Sequence, residues 1–335
     1  MTGPGVPGQG AAPGQGATPS AASAPARSGL ARIPWQALLL AAGGIWGCSF
    51  LFMKLGLQSF TPIQVGFGRL AIGAATLLVL CRVTGTRLPR GPIWRHLAVT
   101  GLLFGSIPFV LFAYGETRVS SILAGIINAA TPLTTLAMTL VAFREERPTR
   151  IQIAGLLVGF SGILVVLGAW NGIGGGELPG VLACVGAIAC YGIAYPYSRR
   201  HVVPAGLGPL AIATGQVVMS AALLVPVAAG ELLLGGGTIR FPIATDTAIG
   251  MLALGALGSG VAYALNTQVI AEAGAAVASS VTYVTPFVAV VAGVLFLAEP
   301  VSANEPAGAL VVLLGVAIAQ GRVRLPRRAP ASAAT

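Results

Sequence analysis

Charge is what this chain has least of. Asp, Glu, Lys and Arg make up 8% of its 335 residues, while hydrophobic side chains make up 55% and the mean hydropathy is +0.86. A soluble domain carries about a quarter charged residues, so these proportions exclude one and imply a chain that crosses a bilayer repeatedly. The nine Asp and Glu residues all fall in loops or near the ends of apolar runs. On that placement no carboxylate is expected inside the membrane, which argues against a proton antiport run by a buried acid. The two histidines, His96 and His201, are expected to be solvated loop residues too isolated for a metal or catalytic site. Cys48, Cys81, Cys184 and Cys190 sit within apolar runs without C-x-x-C spacing, as small fillers rather than disulfides or ligands. P-loop, Walker, H-E-x-x-H and G-x-S-x-G patterns are absent. No cofactor, no metal and no catalytic residue are therefore expected, and the chain is not read as an enzyme.

A formal charge of +10 could suggest nucleic acid. The arginines, however, form short clusters between apolar runs and lack the aromatic interleaving of a nucleic-acid surface. They are better explained as membrane topology. Residues 1–33 are rich in Gly, Pro, Ala, Ser and Gln and contain no acid, a composition that cannot bury enough apolar surface to order itself. A disordered N-terminal tail is expected there, and a short basic tail at 322–335.

What the chain does have is a repeat. Asn128-Ala-Ala-Thr131-Pro132 lies in one apolar run and Thr282-Tyr-Val-Thr285-Pro286 in another. Each is followed by a charged break with a glutamate, Glu146 or Glu299, and then by glycines at equal spacing, Gly155 and Gly162 against Gly308 and Gly315. Apolar runs of roughly 20 residues, enough to cross about 30 Å of hydrocarbon, fall near 35–56, 63–82, 97–115, 120–143 and 151–169. After the Gly-rich link at 171–176, five more fall near 179–198, 207–229, 247–266, 274–298 and 304–321. With the N-terminus inside, 15 of the 19 basic residues lie on the cytoplasmic side and only Arg118 and Arg240 on the other, as short loops prefer. The expectation is an all-α polytopic membrane protein of ten transmembrane helices, with repeats at 35–169 and 179–321 and both termini cytoplasmic. Five spans per repeat put the two copies in opposite orientations, the inverted plan of many secondary transporters.

These residues resemble the drug/metabolite transporter superfamily, and within it the EamA-like family. The resemblance rests on Trp46-Gly47-Cys48-Ser49-Phe50 with Lys54, Pro62 with Arg69, the Thr131-Pro132 region, and Glu146-Arg147-Pro148-Thr149 leading to Gln152 and Gly155. The second half repeats the pattern more loosely: Tyr191-Gly192 for Trp46-Gly47, Pro209 and Gln216 for Pro62 and Arg69, and Glu299 to Gly308 for Glu146 to Gly155. The resemblance implies a bundle in the plasma (inner) membrane in which four helices of each repeat surround a cavity. The fifth of each would pack outside, where a homodimer would form. It also implies export of amino acids or related small polar metabolites by alternating access. Efflux of amphipathic drugs is the alternative; an intramembrane lipid-modifying enzyme would need a nucleophile, base or metal set that the spans do not offer. The expected partners are a small-molecule substrate and the lipid bilayer, not nucleic acid.

Within the spans, Arg69 is the first candidate for contacting an anionic substrate group, because its planar donor fork suits a carboxylate and an intramembrane arginine faces protein or a wet cavity. Tying helix ends together is the competing role. Lys54, near a span end, is expected to snorkel to the interface. Trp46 and Ser49, Asn128 and Thr131, and Thr282 and Thr285 each share a helix face at i, i+3. Tyr114, Tyr191, Gln216 and Tyr283 complete the substrate-binding candidates, all of which could equally serve as helix–helix contacts. Pro132 and Pro286 are candidate conformational hinges, since a mid-helix proline frees a carbonyl, and their polar neighbours are expected to face each other near the midplane. Glu146 and Glu299 are expected to mark turns.

Overall fold

A computed structural model describes residues 33–143, 149–168, 176–273 and 281–322, and among these no β-strand occurs. Glu146, residues 1–32 and 323–335 of the two tails, and residues 171–175 of the Gly-rich link lie outside the described residues. The helices are α1 Trp35–Gly56, α2 Pro62–Thr84, α3 Ile93–Glu116, α4 Ser121–Asn128 and α5 Thr131–Met138 in the first half. α6 Arg150–Val166, α7 Leu178–His201 and α8 Pro209–Leu233 follow. α9 starts at Thr245–Ala253 and continues to Ala262–Ala273, and α10 Val281–Leu297 and α11 Asn304–Ala319 complete the series. Among the described residues, seven helical segments are long and apolar enough to cross a bilayer, α4 and α5 counting as one, whereas α6, α10 and α11 are apolar but shorter.

Local chemistry explains where several of these helices begin. Thr61 accepts from the Gln64 amide while the Gln64 side chain accepts from the Thr61 amide, a capping box with Pro62 in the first turn. Thr149 and Gln152 build the same box ahead of α6. α2 ends at Gly85, whose φ of 68° is the left-handed closure that glycine permits.

The two halves repeat each other in side-chain detail. α3 contains a π segment at Leu102–Ser106 and α9 contains one at Leu254–Val261. The first lies on α8 and the second on α2. A Cβ at Gly255 would meet the carbonyl of Arg69, and a Cβ at Gly101 the carbonyl of Gln216. Gly73 of α2 is pressed against Ser259 of α9, and Ser220 of α8 against Gly105 of α3. The same glycine–serine contact is thus made twice with the roles of the helices exchanged.

The repeated glycines of the opening pattern pair with each other. α6 packs on α11: Gly155 abuts Ala319, Gly162 abuts Val312, Gly308 abuts Val166 and Gly315 abuts Gly159. Small residues let two backbones approach closely, the usual device of helix contacts in lipid. Asn304 Nδ2 donates to the Val166 carbonyl at 2.7 Å and closes one end of the pair. One flank of each of these two helices is therefore occupied within the chain itself.

Candidate functional site

The candidate residues of α1 and α2 converge on the π segment of α9. A π turn leaves a carbonyl without its usual helical partner, and Trp46 Nε1 donates to the Gly258 carbonyl at 2.9 Å. The indole also meets the Tyr263 ring edge-on, with centroids 5.8 Å apart. Arg69 is 6% exposed. Its Nε donates to Ser259 Oγ at 2.9 Å, and the guanidinium lies 3.7 Å above the Phe109 ring of α3. Among the described residues no acceptor meets its Nη groups. Ser49 is buried beside Gly258, its hydroxyl turned back to the Ile45 carbonyl at 3.1 Å. Tyr191, Tyr263 and Glu116 are ionisable groups electrostatically coupled to Arg69. The result is one fixed cation stacked on an aromatic ring, with Trp46, Tyr191 and Tyr263 nearby, where helices of both repeats meet.

Sequence reasoning missed Phe109, Gly258, Ser259 and Tyr263. The run Gly258-Ser259-Gly260 inside an apolar span was the available signal, since small residues there mark close backbone approach.

The equivalent place in the other repeat holds no charge. Gln216 is 9% exposed, and its carbonyl accepts from Ser220 Oγ at 2.8 Å, as does the Gly101 carbonyl at 2.6 Å. Ser106 Oγ donates to the Ser220 carbonyl at 2.9 Å. This side is stitched by hydroxyls and backbone alone.

The two proline positions also differ. The chain breaks between α4 and α5, so Pro132 stands in the first turn of α5 rather than in mid-helix. There it removes only an N–H that a helix start leaves unpaired. The carbonyl that its nitrogen cannot reach, that of Asn128, accepts from Thr131 Oγ1 at 2.7 Å. Pro286 lies inside the continuous helix α10. Thr285 Oγ1 donates to the Val281 carbonyl at 3.1 Å. The hydroxyls of Thr131 and Thr285 are therefore both engaged by their own backbone, and α4 meets α10 where Gly125 abuts Ala289. The Thr282 side chain is outside the described residues.

The remaining candidates scatter. Tyr114 is 36% exposed, with the Arg118 guanidinium 5.1 Å from its ring. Tyr191 packs between Phe104 and Phe112. Tyr283 Oη donates to Gln320 Oε1 at 3.1 Å, beneath the Arg322 guanidinium.

Four expectations need correction. Glu116, placed by its sequence neighbours in a polar break, is the last residue of α3 and is 0% exposed, so the spans do contain a buried carboxylate. Lys54 does not reach for the interface; its ammonium donates to the carbonyls of Glu116 and Val119 at 2.6 and 2.9 Å and holds α1 to the end of α3. Such capping uses both the lysine's donors and the negative end of a helix dipole. Glu299 does more than mark a turn. Ala298, at φ 51°, turns the chain after α10, and the Glu299 carboxylate accepts from the Ser121 amide, the Ser121 hydroxyl and the Ile122 amide at 2.9, 2.8 and 3.2 Å. It thereby caps α4 across the repeats. His96 and His201 are not isolated: their rings stack 5.1 Å apart, and His96 Nδ1 shares a 2.9 Å hydrogen bond with Tyr197 Oη. The start of α3 and the end of α7 meet at the arginine-rich end of the bundle, which brings the two together.

Comparison with known proteins agrees with this architecture. The chain is 27% identical over 301 residues to the uncharacterized inner membrane transporter YedA of Escherichia coli K12, covering 88% of this chain and 94% of that protein. It is 25% identical over 289 residues to an uncharacterized transporter of Archaeoglobus fulgidus, covering 85% and 97%. Over 137 residues it is 28% identical to a probable terminal-alkyne amino-acid exporter of Streptantibioticus cattleyicolor, covering 41% of this chain and 45% of that protein. A solved crystal structure shares the fold with a TM-score of 0.58 and 20% identity, covering 84% of this chain and 99% of that one. The EamA-like transporter family matches twice, over residues 33–168 and 178–320. With both halves of the membrane region matched, the chain belongs to the EamA-like transporter family.

Proposed function

We propose that this protein exports a small polar metabolite bearing a carboxylate, an amino acid or a close relative, by alternating access. Arg69 is the observation that carries the reading. An arginine two turns into a membrane span, stacked on Phe109 and anchored through Nε to Ser259, keeps its Nη pair for a bidentate acceptor, the geometry a carboxylate fits. Trp46, Ser49, Tyr191 and Gln216 complete the substrate surface. The break ahead of Pro132 is the hinge in the first repeat, and Pro286 is its stiffer counterpart. The Streptantibioticus relative, named a probable terminal-alkyne amino-acid exporter and similar over 41% of this chain, supports the substrate class. The weight of 15 basic residues on one side supports a plasma-membrane orientation with both termini cytoplasmic. A homodimer, if formed, uses the flanks of α6 and α11 that their mutual contact leaves open.

Efflux of amphipathic compounds is the second reading, favoured by the aromatic ring set Trp46, Phe109 and Tyr263 around a single cation. Counterflow of labelled amino acids in proteoliposomes separates the two. Exchange that collapses in Arg69→Gln supports the first, and absence of exchange across a broad amino-acid panel, with uptake of amphipathic amines, supports the second.

A further inference from the structure

One buried ionisable group plays no part in the substrate reading above. Glu116 is fully buried, and neither Oε1 nor Oε2 has a hydrogen-bond partner, the only described side chain in that position. An ionised carboxylate deprived of both water and donors is strongly disfavoured, and in most buried sites donors or a counter-ion are arranged to prevent it. Lys54 would be the natural counter-ion, yet its ammonium is directed at two backbone carbonyls, including that of Glu116 itself. Glu299 is close by, but its oxygens are occupied in capping α4. Glu116 itself lines a pocket of about 510 Å3 together with Lys54, Gln58, Thr117, Arg240 and Glu299 among others, while its two carboxylate oxygens stay buried.

We infer that Glu116 is a proton-binding site of this transporter. The oxygens are buried, and among the described residues no set of three metal-ligating side chains surrounds them, so a proton is the cation that satisfies them without rearrangement. In the conformation described, Glu116 is the neutral acid. When the pocket opens and water reaches the carboxyl, the proton leaves, and the carboxylate takes the Lys54 ammonium from the backbone carbonyls that now hold it. Closing reverses the exchange. The charged and titratable groups around Glu116 are Lys54 on α1, Arg69 on α2, Cys184 on α7 and Glu299 after α10, with Arg240 across the pocket. Of these Lys54 is the one whose bonds can be exchanged locally, because its partners are the carbonyls at the end of α3.

The coupling of this proton to substrate flux rests on the transport reading; the proton itself does not. Infrared spectra of the purified full-length protein, wild type against Glu116→Gln, test it directly. At neutral pH the wild type should show a protonated-carboxyl band that Glu116→Gln lacks, and the band should be lost in a single transition as pH is raised. No difference in that band at any pH from acid to alkaline overturns the proposal. Glu299→Gln is the control and should leave the band in place; loss of the band there as well would assign it elsewhere and also overturn the proposal. In proteoliposomes, net export by the wild type should respond to an imposed pH gradient, and that response should fall at least several-fold in Glu116→Gln. A Glu116 band without amino-acid exchange would retain the proton site and reject the substrate class instead.

Discussion

The α2–α9 contact of one half and the α8–α3 contact of the other are the same piece of architecture carrying different chemistry. In both, a π segment lies on a glycine- or serine-bearing helix, with Gly73 against Ser259 in one and Gly105 against Ser220 in the other. On the α2 side the serine accepts from Arg69 and the neighbouring carbonyl accepts from Trp46. On the α8 side the serine donates to two carbonyls and receives no side chain. The comparison teaches that the fold needs only the small-residue contact, and that a cation was built onto one copy of it. The fourth helix and its counterpart show the same division: α4 and α5 are separated ahead of Pro132, while α10 runs through Pro286.

The widest separation between the halves is expected at the two polar positions. Arg69→Gln should lower exchange of a carboxylate substrate by about 10- to 100-fold, the loss of roughly 1.5–3 kcal/mol for a hydrogen bond to a charged partner. Gln216→Ala should change it less than about threefold, a few tenths of a kcal/mol to ~0.7. Equal losses would erase the asymmetry. Next come the glycines. Gly73→Ala would place a methyl 2.5 Å from Ser259 Cβ with backbone close behind, and overpacking of this kind costs about 1–3 kcal/mol. Gly105→Ala meets the Ser220 hydroxyl, which can turn away, and the Ser220 Cβ at 2.8 Å, a longer approach than the 2.5 Å at Gly73. Thermal unfolding in detergent should rank Gly73→Ala as the less stable of the two.

Smaller effects follow from the serines. Ser259→Ala removes the acceptor of a buried guanidinium and should destabilise by about 2 kcal/mol, against about 1 kcal/mol for Ser220→Ala, whose donor bonds are to neutral carbonyls. The smallest separation is at the threonines. Thr131→Ala leaves the Asn128 carbonyl without its hydroxyl partner and should cost about 1 kcal/mol. Thr285→Ala deletes a back-bond to a carbonyl inside a continuous helix and should cost less than about 0.5 kcal/mol. Unfolding midpoints of the two variants side by side decide the order.

Much of this was legible in the sequence where the cause is local. Thr61-Pro62 and Thr149 announce helix starts because capping chemistry spans only four residues, and the apolar runs locate the helices because a membrane demands length and hydropathy. The duplicated glycines at 155, 162, 308 and 315 were visible as a pattern, but their pairing across α6 and α11 was not, since spacing reports a face and not the partner of that face. Glu116 was hidden for a related reason. Tyr114-Gly-Glu-Thr-Arg118 reads as a polar break, and the groups found around Glu116 in the fold, Lys54, Cys184 and Glu299, are distant in sequence. His96 on α3 and His201 on α7 are separated in sequence by α4, α5 and α6 and brought together only by the bundle. The run Gly258-Ser259-Gly260 marks a close backbone approach, but nothing in it distinguishes a π segment from an ordinary helix or names Arg69 as the partner of Ser259.

The central claim is that recognition of the substrate's charge belongs to the first repeat alone, through Arg69. The most direct measurement is counterflow of a labelled amino acid in proteoliposomes of wild type, Arg69→Gln and Gln216→Ala, with the decarboxylated amine as competitor. The account predicts that Arg69→Gln abolishes the preference for the amino acid over the amine while Gln216→Ala keeps it. Unchanged affinity and preference in Arg69→Gln would contradict it.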